Sequence, residues 1–234
     1  MPIIAVSNPK GGAGKSTTTL LLSTYLAEQQ ASVCIIDADP QQELMVDWKR
    51  NRATPPKVTI VGGVSEENIV DVLKREADRH QFIFLDLEGT ASVLVSRAIM
   101  MANYVIIPIQ CSRADARQAS KAIHAVESGE KLVRNFDPKR RIPYRILLTR
   151  TSAPGAPVNS IQRTIEAEIM ESGLPRFKNN LAERISYKAV FAKYMTLYEM
   201  ETLTGKEKVG NLETAELNVV KIADELVTDL GAER

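Results

Sequence analysis

Two lysines, three glycines and a serine sit within eight residues, Pro9-Lys10-Gly11-Gly12-Ala13-Gly14-Lys15-Ser16, directly behind the apolar run Ile3-Ile4-Ala5-Val6. Strand, glycine loop and helix in that order make a cradle for phosphate. Glycines let successive backbone N–H groups turn toward a polyphosphate, and the following helix N-terminus adds the positive end of its dipole. In such a cradle the backbone from Gly11 through Gly12, Ala13 and Gly14 to Thr17 wraps the anion. Lys15 reaches the β- and γ-phosphates, and the Ser16 hydroxyl ligates Mg²⁺. The general pattern G-x-x-x-x-G-K-[ST] wants glycine where Pro9 stands; K-G-G-x-G-K-[ST] is what matches, with Lys10 as a second lysine. A second cation at a transferring phosphoryl group stabilises charge in the transition state.

Carboxylates follow at the ends of two more apolar runs. Ile35-Ile36-Asp37-Ala38-Asp39-Pro40-Gln41 carries two acids separated by one residue. Residues i and i+2 of a strand face one side, so both point into a phosphate site if the extended conformation persists. Phe82-Ile83-Phe84-Leu85-Asp86 ends in an acid that can accept a hydrogen bond from magnesium-bound water. After it come Leu87-Glu88-Gly89-Thr90. Gly89 suits a close-approaching, γ-phosphate-sensing backbone, whereas Glu88 beside a triphosphate is repulsive unless it faces away or binds metal.

The elements that must hold these groups read as alternating strands and helices. Strands are predicted at Ile3–Ser7, Val33–Asp37, Val58–Val61, Phe82–Asp86, Tyr104–Ile109 and Tyr144–Thr149, and helices at Lys15–Gln29, Ser65–Arg79, Val93–Ala102, Ala114–Val133 and Val158–Glu171, with a last helical stretch from Leu212 to Leu230. That alternation predicts an α/β fold, a doubly wound, mostly parallel sheet covered by helices on both faces. At 234 residues one domain spanning 1–234 is expected. Met1-Pro2 leads straight into the first strand, so neither a signal peptide nor an N-terminal helix-turn-helix domain is expected. No apolar stretch approaches the ~20 residues of a membrane span. Cys34 and Cys111 are too few for a disulfide framework or a zinc site and read as reduced thiols in the cytosol. With a net charge of +1, any nucleic-acid binding must come from a local patch.

The loop with its early lysine resembles the deviant Walker A motif of the ParA/MinD ATPases. The D-x-D-P-Q segment at Asp37–Gln41 resembles the ParA switch, and the strand ending at Asp86 resembles a Walker B strand. The resemblance implies ATP and Mg²⁺ as ligands, with Lys10, Lys15 and Asp39 as the catalytic set. Lys10 would reach across a nucleotide-sandwiched homodimer to the partner's phosphates, Asp39 would orient the attacking water, and Ser16, Asp37 and Asp86 would serve the metal. The family usually follows its Walker B acid with x-P-P or x-P-G, so Glu88 is a departure. Further, weaker likenesses are Pro108-Ile109-Gln110 to Asp115, often a dimer contact in the family, and Arg184-Ile185-Ser186-Tyr187-Lys188-Ala189 with Thr196-Leu197-Tyr198, which resemble the segment near the adenine base and the closing helix. Trp48, between Asp47 and Lys49, is similar to that of ParA-like proteins of plasmid and T-DNA transfer.

Within that group, a membrane role needs a basic amphipathic C-terminal helix. Leu212 to Leu230 instead carries Glu213, Glu216, Asp224, Glu225 and Asp229 against Lys221, which an anionic bilayer repels. A shared iron–sulfur cluster needs two cysteines on exposed loops, and Cys34 falls in a strand. DNA remains. Arg176, Lys178, Arg184, Lys188 and Lys193 crowd one region, and Lys131, Arg134, Lys139, Arg140, Arg141 and Arg145 form another basic run. Phosphate contacts need charge and alignment, not base readout. The expectation is a ParA-type ATPase of plasmid or chromosome partition. It would dimerise on ATP, bind DNA non-specifically through the first cluster and be reset by hydrolysis that a ParB-like centromere-binding partner stimulates. Its place would be the cytoplasm, on the nucleoid when ATP-bound. The alternatives are an accessory ATPase of T-DNA or conjugative transfer, and a metabolic P-loop ligase resembling dethiobiotin synthetase.

Overall fold

The structure is a computed structural model that describes residues 1–203, 205–207 and 209–232; the side chains at 113–118 and 206 lie outside the described residues. Seven strands form one sheet: β1 (Ile3–Val6), β2 (Val33–Ala38), β3 (Thr59–Val61), β4 (Phe82–Leu87), β5 (Tyr104–Gln110), β6 (Tyr144–Thr151) and β7 (Leu181–Ala182). Their order is β3-β2-β4-β1-β5-β6-β7, and every pairing is parallel. Helices are α1 (Lys15–Glu28), α2 (Leu44–Arg50), α3 (Ile69–Ala77), α4 (Val93–Met101), α5 (Arg113–Val133), α6 (Ser160–Glu171), α7 (Ile185–Ala192), α8 (Leu197–Met200) and α9 (Leu212–Ala232).

Strand residues alternate between two cores, as period-2 geometry demands. Ile4 and Val6 of β1 join the core under α1 and α9, while Ile3 and Ala5 join the one on the other face, with Ile69, Leu73, Leu94 and Ile99 of α3 and α4. Burial on both faces is why these strands read as unbroken apolar runs. The six predicted strands are all present, with ends shifted by one or two residues. β7, α2, α7 and the four-residue α8 are not among the predicted elements. β7 is two residues long, α2 is a seven-residue helix entered through Glu43 at φ 41°, and α7 has apolar residues around most of its circumference. The predicted helix from Ser65 starts at Ile69 instead, because Asn68 turns back to accept the Ser65 N–H at 2.9 Å. Trp48 is fully buried on α2, its indole N–H donates to Val190 O at 2.7 Å, and the Arg52 guanidinium stacks 4.4 Å from its ring centre. It ties α2 to α7 and is a packing residue. Asp115 lies among the residues whose side chains are not described.

Candidate functional site

The carboxyl ends of β1, β2 and β4 meet where the chain order reverses beside β1, the place at which open α/β sheets bind ligands. The loop from Asn8 to Gly14 leaves β1 there. Asn8 is fully buried and braces the loop at both ends: its Nδ2 donates to Pro108 O at 2.7 Å and its Oδ1 accepts the Lys10 N–H at 2.9 Å. Gly12 and Gly14 take φ 76° and 99°, left-handed values that only glycine adopts freely. Thr149 Oγ1 donates to Ala13 O at 2.9 Å, so β6 supports the loop from below. Lys15 Nζ folds back to Lys10 O at 3.2 Å. The cleft this makes has a volume of about 370 Å³, and Gly11, Lys15, Ser16, Asp39, Glu88 and Gly89 are on its walls. Lys10 is half-buried and is not one of the lining residues.

The charges are arranged around Lys15. Burial lowers its pKa, and Asp86, Asp39 and Glu88 act against that, in this order. Glu88 is therefore neither turned away nor idle: it is nearly buried, lines the cleft, and adds a negative field at the ammonium group. Asp86 and Asp37 are directly paired across β4 and β2. Burial pushes the Asp86 carboxyl up to about 7, the Ser16 hydroxyl hydrogen-bonded to it pulls the other way, and Asp37 raises it further. Asp86 Oδ1 is buried with no partner. An orphaned carboxylate oxygen beside a serine hydroxyl, at the foot of a triphosphate cradle, fits a hydrated Mg²⁺. Ser16 and Asp86 are the residues that would hold it.

Asp37 does a second job. Its Oδ2 accepts the N–H groups of Met45 at 2.8 Å and Val46 at 3.2 Å, capping the start of α2, and Oδ1 lies 3.4 Å from Asp39 N. Burial raises its pKa against those backbone bonds. Asp37 thus couples the metal side of the site to the segment carrying Asp39. Asp39 is half-buried and lines the cleft; its Oδ1 accepts from Gln41 N and Gln42 N, both at 3.2 Å, which shapes the Asp39–Gln42 turn.

Gly89 makes the closest backbone approach. A Cβ there would lie 3.3 Å from both Gly11 N and Lys15 Nζ. Gly89→Ala is expected to leave the melting temperature within a few degrees of wild type and to lower ATP turnover by about tenfold or more, because the neighbours that must give way are the lysine on the phosphates and the loop backbone at Gly11. Thermal melts and phosphate release on one preparation check this.

A second cleft of about 290 Å³ opens beside the first, sharing Gly14, Thr17 and Arg150 with it and bounded beyond them by Arg184, Tyr187 and Lys188. Arg150 had no sequence expectation. It sits at φ 52° where the β6–β7 register slips between Thr149 and Thr151, and that bulge aims it at the junction of the two clefts. A bulge at the end of β6, opposite a two-residue edge strand, leaves no local pattern to read.

The five cations expected to bind DNA are not brought into one cluster. Arg176 bridges to Ile146 near the start of β6, while Arg184 follows β7, which pairs up to Thr151, roughly 16 Å farther along the strand. Lys188 is ion-paired with Glu183 at 2.7 Å, and Arg184 donates to Thr214 Oγ1 at 2.9 Å. Lys178 and Lys193 are exposed. Arg176 and Lys178 lie along the β6 edge, whereas Lys193 ends α7 next to Tyr194, whose carbonyl accepts from Arg52 on the α2 side of the sheet. Among the described residues no helix is long and apolar enough to cross a membrane.

Residues 4–193 match the family model of the CobQ/CobB/MinD/ParA nucleotide binding domain. Protein ParA of Rhizobium radiobacter is 32% identical over 216 residues, covering 92% of this chain and 91% of that one. A maintenance of carboxysome distribution protein A from Halothiobacillus neapolitanus is 26% identical over 200 residues, 84% of this chain and 87% of that one. Among solved structures, the Cyanothece McdA(D38A)–ATP complex superposes with a TM-score of 0.74 at 18% identity, covering 97% of this chain and 96% of that one, a likeness of fold. With the loop, the paired acids and a matched span of that length, the chain belongs to the CobQ/CobB/MinD/ParA nucleotide-binding family and is an ATPase.

Proposed function

We propose that residues 1–234 act as a single ParA-type ATPase domain in plasmid or chromosome partition. ATP drives formation of a homodimer that binds DNA of any sequence, and hydrolysis returns the monomer. Similarity to a ParA protein over nine-tenths of both chains supports this. The observation that carries it is the second lysine. Lys10 stands in the phosphate loop yet is not among the walls of its own subunit's cleft, while Lys15 fills that place. In this reading Lys10 serves a neighbouring subunit's phosphates, which ties turnover to dimerisation. Within one subunit, Lys15 and the loop amides bind the phosphates, and Asp39 at the cleft wall positions the attacking water. Bound Mg²⁺ would neutralise charge on the phosphate oxygens. A ParB-like protein bound at a centromere is the partner that stimulates hydrolysis, and the ATP dimer rests on the nucleoid.

The DNA surface takes cations from two places, the β6 edge at Arg176 and Lys178 and the end of α7 at Lys193. Lys178 and Lys193 are its exposed cations, and Arg176 adds to them; Arg184 and Lys188, committed to Thr214 and Glu183, bound the second cleft as well. Reversing Lys178 and Lys193 to Glu is expected to weaken ATP-dependent binding to unrelated DNA sequences uniformly. The slope of log affinity against log salt should fall by about one for each cation lost. Fluorescence anisotropy across a salt series reads this. An unchanged slope with unchanged affinity would remove these residues from the DNA surface.

A further inference from the structure

Away from the nucleotide cleft, Cys34, Glu76 and His80 bring a thiol sulfur, a carboxylate oxygen and a ring nitrogen to within 4.8 Å of one another. Cys34 is the second residue of β2 and faces the core under α3 and α4; Glu76 lies in the last turn of α3, and His80 follows that helix. Cys34 is three residues before Asp37, ~10 Å along the strand, and on the opposite sheet face. The cluster is therefore separate from the magnesium side of the ATP site. Cys34 and Glu76 are buried, while the His80 side chain keeps 10% exposure and gives the cluster an entry path.

The surroundings already have the form of a ligand shell. Glu76 Oε1 accepts from Arg75 Nε at 2.7 Å, which leaves Oε2, 3.5 Å from His80 Nδ1, facing the cluster. His80 Nδ1 lies 3.1 Å from Glu76 O and Nε2 lies 3.1 Å from Thr59 Oγ1. Whichever ring nitrogen takes a metal, the other keeps a hydrogen-bond partner, the arrangement that orients metal-ligating histidines. Thr59 is also paired with Cys34 across β3 and β2, so the fourth side of the cluster is polar. Without a cation, a thiol and a carboxylate are buried side by side, and burial with the Glu76 charge pushes the thiol up to about 12. A divalent ion offsets one thiolate and one carboxylate, with the half-exposed Arg75 guanidinium on Glu76 Oε1 left facing solvent.

We propose that Cys34, Glu76 and His80 form a second metal site that takes Zn²⁺, with water in the fourth position. Thiolate, imidazole and carboxylate together select zinc over magnesium. Binding deprotonates Cys34 and releases that proton to solvent. A tetrahedral centre needs its ligand atoms about 3.4–3.8 Å apart, so side-chain rotations of about 1 Å close the shell. The ion would clamp the start of β2, the strand that carries Asp37 and leads into Asp39, to the end of α3.

The test is a Co²⁺ titration of the chelator-treated full chain without nucleotide. One equivalent is expected to give a near-ultraviolet thiolate-to-cobalt charge-transfer band and the intense visible bands of a tetrahedral centre. Zn²⁺ should bleach them at one to one. Cys34→Ser should lose the charge-transfer band, His80→Gln should weaken binding by about tenfold or more, and Cys111→Ser should change neither. ATP affinity equal to wild type shows that the variants are folded. If Cys34→Ser does not fold, melting temperatures decide: Zn²⁺ should raise that of wild type more than that of His80→Gln. No band in the wild type, a band that survives Cys34→Ser, a band lost only with Cys111, or equal zinc stabilisation of wild type and His80→Gln overturns the assignment.

Discussion

Lys15→Ala is expected to abolish ATP binding, while Lys10→Ala keeps the nucleotide and loses about 10²–10³ of its turnover, the scale of removing one charge that acts on the transition state. The difference follows from where the two lysines sit. Lys15 is buried on the cleft wall among Asp86, Asp39 and Glu88, so its ammonium is the positive charge those acids are arranged around. Lys10 gives the loop a backbone oxygen for Lys15 and a backbone N–H for Asn8, and alanine supplies both equally well. Titration with a fluorescent ATP analogue and phosphate release separate the two effects. Mixing sharpens the result. If Lys10 serves the neighbouring subunit and Asp39 its own, then inactive Lys10→Ala and inactive Asp39→Ala proteins should recover partial activity together. Each mixed dimer has one site with both groups. Recovery would be absent if Lys10 acted within its own subunit.

Asp86→Asn is expected to change stability and activity in opposite directions. The carboxyl is raised by burial from 3.8 to about 7. Between those values the folded chain holds a proton that the unfolded chain has lost, so stability falls as pH rises through that window. The contribution is fully present below about 4 and gone above about 7. Asparagine carries no charge at any pH. The nucleotide-free variant should therefore exceed wild type in stability at pH 8, by on the order of 2–4 kcal/mol, and match it near pH 4. Its Mg²⁺-dependent ATPase should fall by about a hundredfold or more, because the orphaned Oδ1 and its charge are what the metal shell uses. Denaturant melts at the two pH values and an ATPase assay on one preparation decide. A variant less stable than wild type at pH 8 would show that Asp86 is not an uncompensated buried charge. For wild type, Mg²⁺ affinity should rise as pH passes about 7, since protonation and the metal compete for one carboxylate.

The loop and the three acids were legible because their chemistry is local. Glycines at 12 and 14 are needed for left-handed turns, and a carboxylate at a strand end needs only the strand. Parallel strands buried on both faces announce themselves as apolar runs, so β1, β2, β4, β5 and β6 were readable to within two residues. What was not legible depends on contacts across the fold. Asp37 reads as a metal residue; that it also caps α2 appears only when Met45 and Val46 are folded onto it. Glu88 looked out of place because its counter-charge, Lys15, is 73 residues earlier in sequence and becomes its neighbour only through β1–β4 pairing. Arg150 needed a register slip that no spacing encodes. The basic residues at 176–193 are near each other in sequence and spread apart in space, since the segment climbs the length of β6 and α7 then carries it toward α2. Cys34 read as an isolated thiol in a strand; Glu76 and His80 arrive beside it from a helix packed on the sheet.

The central claim is that ATP, not ADP, assembles the form that holds DNA, and the most direct measurement uses Asp39→Ala to stop the cycle after ATP binding. Its mass and its affinity for DNA of arbitrary sequence are measured together with ATP, with ADP and without nucleotide. The account predicts a dimer with salt-sensitive DNA binding in ATP alone, and a monomer without DNA affinity in the other two conditions. A variant that binds ATP and stays monomeric and off DNA would contradict it, leaving an ATPase of this family with a task other than partition.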